Sequence, residues 1–108
     1  MTQAQIVAPA ELRRRLEACE DLVLLDVREP SEWRIAHIQG SVFISLGELA
    51  EHAHELDPAR PIVCICHHGI RSHAAAMELL RLGFAQVYNL SGGVDRWAVD
   101  VDSTMRRY

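Results

Sequence analysis

Cys66-His67-His68-Gly69-Ile70-Arg71-Ser72 puts a thiol at the end of an apolar run and follows it with a tight, polar loop, the placement expected of a nucleophile. The preceding Pro61-Ile62-Val63-Cys64-Ile65 reads as a short buried strand. Ser72 to Leu82 reads as a helix, with Ala75, Ala76, Leu79 and Leu80 on one side at helical spacing and Gly83 placed for a left-handed cap. The loop therefore joins a strand's carboxyl end to a helix's amino end. Backbone N–H groups there have no intrahelical partner and the helix dipole adds partial positive charge, so a bound anion and a cysteine thiolate are both stabilised. A thiol so placed is expected to ionise more readily than a free one.

Each chemical reading has a plainer competitor. Cys66 could be a small buried hydrophobe, the usual fate of a free cysteine, but the anion-binding loop directly after it argues otherwise. Cys64 shares a strand face with Cys66, yet side chains two residues apart on a strand lie roughly 6–7 Å apart, against about 4 Å between the Cβ atoms of a disulfide. Core packing accounts better for Cys64, and Cys19 reads as structural or idle. Cys64, Cys66, His67 and His68 share zinc-ligand chemistry, but a strand followed by a tight turn aims them in divergent directions, so no metal site is expected. His67 and His68 either tune the loop, an imidazolium near Cys66 favouring the thiolate, or are plain solvent-exposed residues. Gly92-Gly93 has no lysine or Walker spacing after it and reads as a turn.

The elements that must position this loop follow from hydrophobic patterning. Ile6-Val7 starts a short first strand, and Pro9 suits the first turn of a helix running to about Ala18. Leu22 to Val27 is a near-continuous apolar run, as in a strand buried on both faces, and Arg28-Glu29-Pro30-Ser31-Glu32 marks its end and a turn into a short helix. Val42-Phe43-Ile44 is a third strand, Leu46 to about Glu55 a helix, Val87 to Leu90 the last strand, and Val94 to about Val99 a short helix with Trp97 turned inward. Alternating strands and helices specify an α/β fold with a mostly parallel sheet. Ligands of such sheets bind outside the strands' carboxyl ends, which puts Cys66 and the Asp26-Val27-Arg28 end on one functional edge.

Composition narrows the function classes. Residues 1–108 suffice for one compact domain and not for two of ordinary size. All 11 basic residues are arginine, which excludes Schiff-base chemistry on a lysine. With a net charge of -4 and no basic cluster beyond Arg13-Arg14-Arg15 on a helix face, no nucleic-acid partner is expected. Three cysteines in no zinc or disulfide pattern, with no signal-length or membrane-length apolar run, point to a soluble, cytoplasmic protein with no membrane partner.

Asp26-Val27-Arg28-Glu29-Pro30 with Glu32, then His37-Ile38 and Gly40, the Cys66-to-Ser72 loop, Gly83-Phe84, Val87-Tyr88-Asn89-Leu90, and Gly92-Gly93 with Trp97 together resemble the rhodanese (sulfurtransferase) family. Their order and spacing over about ninety residues carry the resemblance, and the tail through Arg107-Tyr108 resembles bacterial single-domain members. It implies a rhodanese-like α/β sandwich with a central five-stranded, mainly parallel sheet flanked by helices on both faces. Cys66 is then the catalytic residue, carrying sulfane sulfur as a persulfide from thiosulfate or another persulfide donor to cyanide, a thiol or a partner protein. His67, His68, Gly69, Ile70, Arg71 and Ser72 would bind the substrate, with Arg71 supplying a fixed charge or bonding the loop's carbonyls, and Asp26 and Arg28 would support the edge. No cofactor is implied. A sulfur-relay module serving a partner protein is the nearest alternative. A phosphatase or arsenate reductase is disfavoured, because four residues separate Cys66 from Arg71 where tyrosine phosphatases use five. Donor, acceptor and oligomeric state stay open.

Overall fold

In the computed structural model, which describes residues 4–108, the strand runs expected from the sequence assemble into one five-stranded sheet. β1 (Gln5–Val7), β2 (Val23–Asp26), β3 (Val42–Phe43), β4 (Ile62–Ile65) and β5 (Val87–Leu90) stand in the order β1-β5-β4-β2-β3, every neighbour parallel. α1 (Pro9–Glu17), α2 (Pro30–Ile35), α3 (Leu49–His52), α4 (Ile70–Arg81) and α5 (Gly93–Asp100) make up the helical layers.

Side-chain alternation along the strands builds two cores. Val23, Leu25, Ile62, Cys64 and Val87 face Leu49, Ala75, Ala76 and Leu79 from α3 and α4. Leu24, Val63, Ile65, Tyr88 and Leu90 face Leu12, Val94 and Trp97 from α1 and α5. Every residue of β2, β4 and β5 is buried, which is why these strands read as unbroken apolar runs.

The chain steps outward from β2 to β3 and in the opposite direction from β4 to β5. The switch point, where a parallel sheet opens a crevice, thus lies between the carboxyl ends of β2 and β4. Those ends carry Asp26 and, one residue past β4, Cys66.

Two elements differ from expectation by more than a residue at an end. The helix expected over Leu46–Glu55 is three short pieces, a 3-10 turn at Leu46–Glu48, α3, and a second 3-10 turn at Ala53–Glu55. Its apolar residues Leu46, Leu49, Ala53 and Leu56 follow spacings of three, four and three, which a three-residue turn meets as well as an α-helical one. α4 starts at Ile70, two residues before the expected Ser72, because Gly69 takes a left-handed conformation (φ 105°) that turns the chain straight into the helix. Among the described residues no helix is long and apolar enough to cross a membrane.

At the end of β2, Arg28 turns inward and is wholly buried with Asp26. Its Nε donates to both carboxylate oxygens at 2.9 and 3.0 Å, Nη2 adds a bond of 2.8 Å, and the Arg28 amide donates to Oδ1 at 3.1 Å. A buried ion pair is costly to break on one side because the other charge is left unpaired. Asp26→Ala should therefore lower unfolding free energy by about 3–5 kcal/mol in urea titration. A loss under about 1 kcal/mol would mean that the pair does not anchor the strand end.

Candidate active site

Cys66 follows β4, and its residue is 1 % exposed. Its sulfur has two polar neighbours: the Gly69 amide donates to Sγ at 3.0 Å, and Ser72 Oγ lies 3.2 Å away. Asn89 on β5 fixes the direction of the hydroxyl. Asn89 Nδ2 donates to the Gly69 carbonyl at 3.0 Å, which leaves its Oδ1 to accept from Ser72 Oγ at 2.5 Å. While the sulfur is protonated the chain runs from Sγ–H to Oγ–H to Oδ1, and on ionisation the serine proton can turn to the sulfur. Asn89 stands in the strand that the sequence delivers plainly, but its role there rests on contacts 17 and 20 residues back, which no local pattern signals.

The loop is closed from behind by α5. Val94 and Asp95 donate their amides to the carbonyls of Cys66 and His67 at 2.9 and 3.2 Å. Since carbonyl and following amide point oppositely across a trans peptide, the His67 and His68 N–H groups face away from α5. The approach is possible only because residue 93 is glycine. A Cβ on Gly93 would sit 2.3 Å from the Cys66 oxygen and 2.4 Å from the His67 oxygen, and its φ is 59°. The Gly92-Gly93 turn thus packs directly on the thiol loop.

Arg71 does not bond the loop carbonyls, as had been one expectation. Its Nη1 and Nη2 donate to Glu32 of α2 at 2.5 and 2.8 Å. Glu32 also accepts from the Tyr108 hydroxyl at 2.8 Å and the Glu29 amide at 3.0 Å. Arg71 chiefly, then the Glu29 amide and the Tyr108 hydroxyl, outweigh desolvation and hold the Glu32 carboxyl down at about 2. Tyr108 in turn accepts from Arg28 Nη1 at 2.9 Å, while Arg28 Nη2 reaches the Ala36 carbonyl at 2.6 Å. Burial pushes the Tyr108 phenol up to about 12, with Arg28 opposing and Glu32 adding. Asp26, Arg28, Tyr108, Glu32 and Arg71 are thus one chain of bonds from the sheet to the loop.

The surroundings of His67 disfavour its charged form. Burial first, and His68 second, lower its pKa. Its ring stacks on Tyr108, with centroids 3.9 Å apart and planes 9° from parallel, and lies 3.9 Å from the His68 ring. Its burial and its stacking disfavour the imidazolium form on which electrostatic tuning of the thiolate would depend. Ile70 is 81 % exposed at the lip, and His68 is exposed beside it. Burial pushes the Cys64 thiol up to about 12, the neighbouring Cys66 adding to it, which fits its place in the core. His37 is structural, its Nδ1 2.9 Å from the Trp33 carbonyl and its ring stacked on Trp33. Among the described residues no cluster of acidic, cysteine or histidine side chains could hold a metal.

Residues 8–100 match the family model of the rhodanese-like domain. The chain is 34% identical over 88 residues to the thiosulfate sulfurtransferase GlpE of Pseudoalteromonas translucida, covering 82% of this chain and 84% of that protein. It is 41% identical over 85 residues to the putative sulfur carrier protein YrkF of Bacillus subtilis, covering 79% of this chain and 46% of YrkF. The crystal structure of a rhodanese-related protein from Thermoplasma volcanium superposes with a TM-score of 0.82 at 31% identity, over 90% of this chain and 93% of that one.

Two outcomes follow from this geometry. Gly93→Ala should cost about 1–3 kcal/mol from backbone strain alone, more with the carbonyl clash, and should slow alkylation of Cys66 as the loop shifts. An unchanged melting temperature would contradict the close approach. For Glu32, a carboxyl depressed from 4.5 to about 2 binds fewer protons folded than unfolded, so its stabilisation is complete above about 4.5 and is lost as pH falls toward 2. Glu32→Gln should be less stable than wild type at neutral pH and should show a shallower decline of unfolding free energy over that acid range.

Proposed function

The chain belongs to the rhodanese-like domain family, and from that premise we propose that it is a sulfurtransferase that carries sulfane sulfur as a persulfide on Cys66. The Cys66 thiolate attacks the outer sulfur of thiosulfate or another persulfide donor. A new S–S bond forms, the donor's own S–S bond breaks, and its electron pair leaves with sulfite or with a thiolate. A thiophilic acceptor then attacks the outer sulfur of the Cys66 persulfide and restores the thiolate. No cofactor enters either half.

The observation that carries this reading is the sulfur's setting: Sγ at the switch point of the sheet, contacted by the Gly69 amide and Ser72 Oγ, with loop amides turned away from α5. These groups offer donors to one additional anionic sulfur. His67, His68, Ile70 and Arg71 form the rest of the donor-facing loop. The buried Asp26 and Arg28 act at a distance, through Tyr108 and Glu32.

A relay to a partner protein is the second reading. It is favoured by Ile70, an apolar side chain 81 % exposed at the lip, which a small anionic donor does not need and a protein surface can cover. A phosphatase or arsenate reductase fits less well, since Arg71 is turned to Glu32 rather than toward the loop centre.

Incubation with thiosulfate or an organic persulfide should add the mass of one sulfur atom to the intact wild-type protein and none to Cys66→Ser, while Cys64→Ser should behave as wild type. Fast turnover with cyanide or small thiols would mark the enzyme, and slow turnover with rapid discharge onto a protein thiol the relay. No adduct with any donor, or an adduct retained in Cys66→Ser, would refute the proposal.

A further inference from the structure

Glu32 sits where it can set the charge that an approaching donor meets. It accepts both terminal nitrogens of Arg71, the Tyr108 hydroxyl and the Glu29 amide, so all its bonds hold it as a fixed anion beside the loop. Arg71 is the loop's own guanidinium and directly precedes Ser72, whose Oγ lies 3.2 Å from the reacting sulfur. Paired with Glu32, it adds no net charge there. His67, the first residue after the nucleophile, stacks on Tyr108 and lies tilted against His68, and its burial disfavours the charged form. Asp95, which also acts on His67, is itself paired with Arg107 at 3.0 and 3.2 Å. What remains to attract an anion is the partial charge of the α4 amino end and the loop amides, about half an elementary charge, which does not offset the full negative charge of the attacking Cys66 thiolate that every anionic donor must approach.

We propose that Glu32 is the charge-selecting residue of this site, and that the site is set for sulfane donors bearing one negative charge or none, such as alkanethiosulfonates and organic persulfides, over the thiosulfate dianion. This rests on the sulfur-transfer reading above. The chemistry is the same for both donors. Cys66 thiolate attacks the terminal sulfur, the S–S bond to the sulfonyl group breaks, and the electron pair leaves with sulfite from thiosulfate or with a sulfinate from an alkanethiosulfonate. Total charge is conserved, and no external oxidant or reductant is needed. Only the charge brought into the site differs.

Removing either member of the pair should shift donor preference in opposite directions. The probes are thiosulfate and the methanethiosulfonate anion, compared by kcat/KM with cyanide as acceptor. Glu32→Gln leaves Arg71 unneutralised and should raise the thiosulfate-to-methanethiosulfonate ratio about ten-fold, the order expected when one nearby charge acts on one extra unit of donor charge at an effective dielectric of about 20. Arg71→Gln leaves Glu32 uncompensated and should lower that ratio. A pair with only a structural role would slow both donors alike in both variants, and an unchanged ratio or a shift in the same direction overturns the proposal. Wild type supplies a check that needs no variant. Added salt screens the repulsion, so thiosulfate should gain relative to methanethiosulfonate as ionic strength rises, and a flat or falling ratio also overturns it. If neither donor loads Cys66 by intact mass, the sulfur-transfer reading has failed. Loading with a ratio indifferent to charge sinks the selectivity inference alone.

Discussion

The buried pair of Arg28 and Asp26 is the constraint on which the remaining arrangement depends. A guanidinium enclosed at the end of a strand must find partners for all its donors, and a single carboxylate cannot take them all. The surplus goes to the Ala36 and Glu32 carbonyls and to the Tyr108 hydroxyl, so one side chain ties β2 to both ends of the segment through α2 and to the tail of the chain. Tyr108 passes the restraint to the Glu32 carboxylate, and Glu32 passes it to Arg71 in the thiol loop. The positions of α2 and the loop are coupled through these hydrogen bonds.

A second restraint acts from the opposite side. The amides at the start of α5 take the Cys66 and His67 carbonyls, and those amides are among the first of a helix, without partners inside it. One contact satisfies two sets of orphan groups: the helix start receives acceptors, and the loop's carbonyls are drawn away from the sulfur. The loop is thereby held between Glu32 on one side and Gly93 on the other, with Asn89 fixing its middle through the Gly69 carbonyl. Its shape is over-determined before any ligand arrives, which is how a short loop keeps amide dipoles aimed at a site.

Local pattern and global topology leave different marks on a sequence. β2, β4 and β5 were legible because burial on both faces leaves an apolar run, and α4 because its apolar residues repeat at helical spacing. The loop was legible because a cysteine after such a run, ahead of glycine and a helix, has few structural reasons to be there. The segment over Leu46–Glu55 was not, since its spacing satisfies two helix types. The partners of Arg71 were invisible for a different reason. Glu32 is 39 residues away and Tyr108 is 76 residues from Glu32, and periodicity carries no information about pairs at that range. The stacking of His67 on Tyr108 is hidden by the same gap.

The same network bears on why the site suits sulfur better than phosphate. A loop that binds a tetrahedral oxyanion needs its guanidinium facing the loop centre, where it can bridge two oxygens. Here both terminal nitrogens of Arg71 already bridge the two oxygens of Glu32, so that geometry has been used on a fixed protein carboxylate. Turning Arg71 inward would strand Glu32 with only the Tyr108 hydroxyl and the Glu29 amide, and would loosen the link from Arg28 to the loop. What faces the sulfur without any rearrangement is the Gly69 amide and Ser72 Oγ. Two donors around one atom match a single anionic sulfur. Without an inward guanidinium the loop amides lack the bidentate charged partner that the oxygens of a phosphoryl group would take.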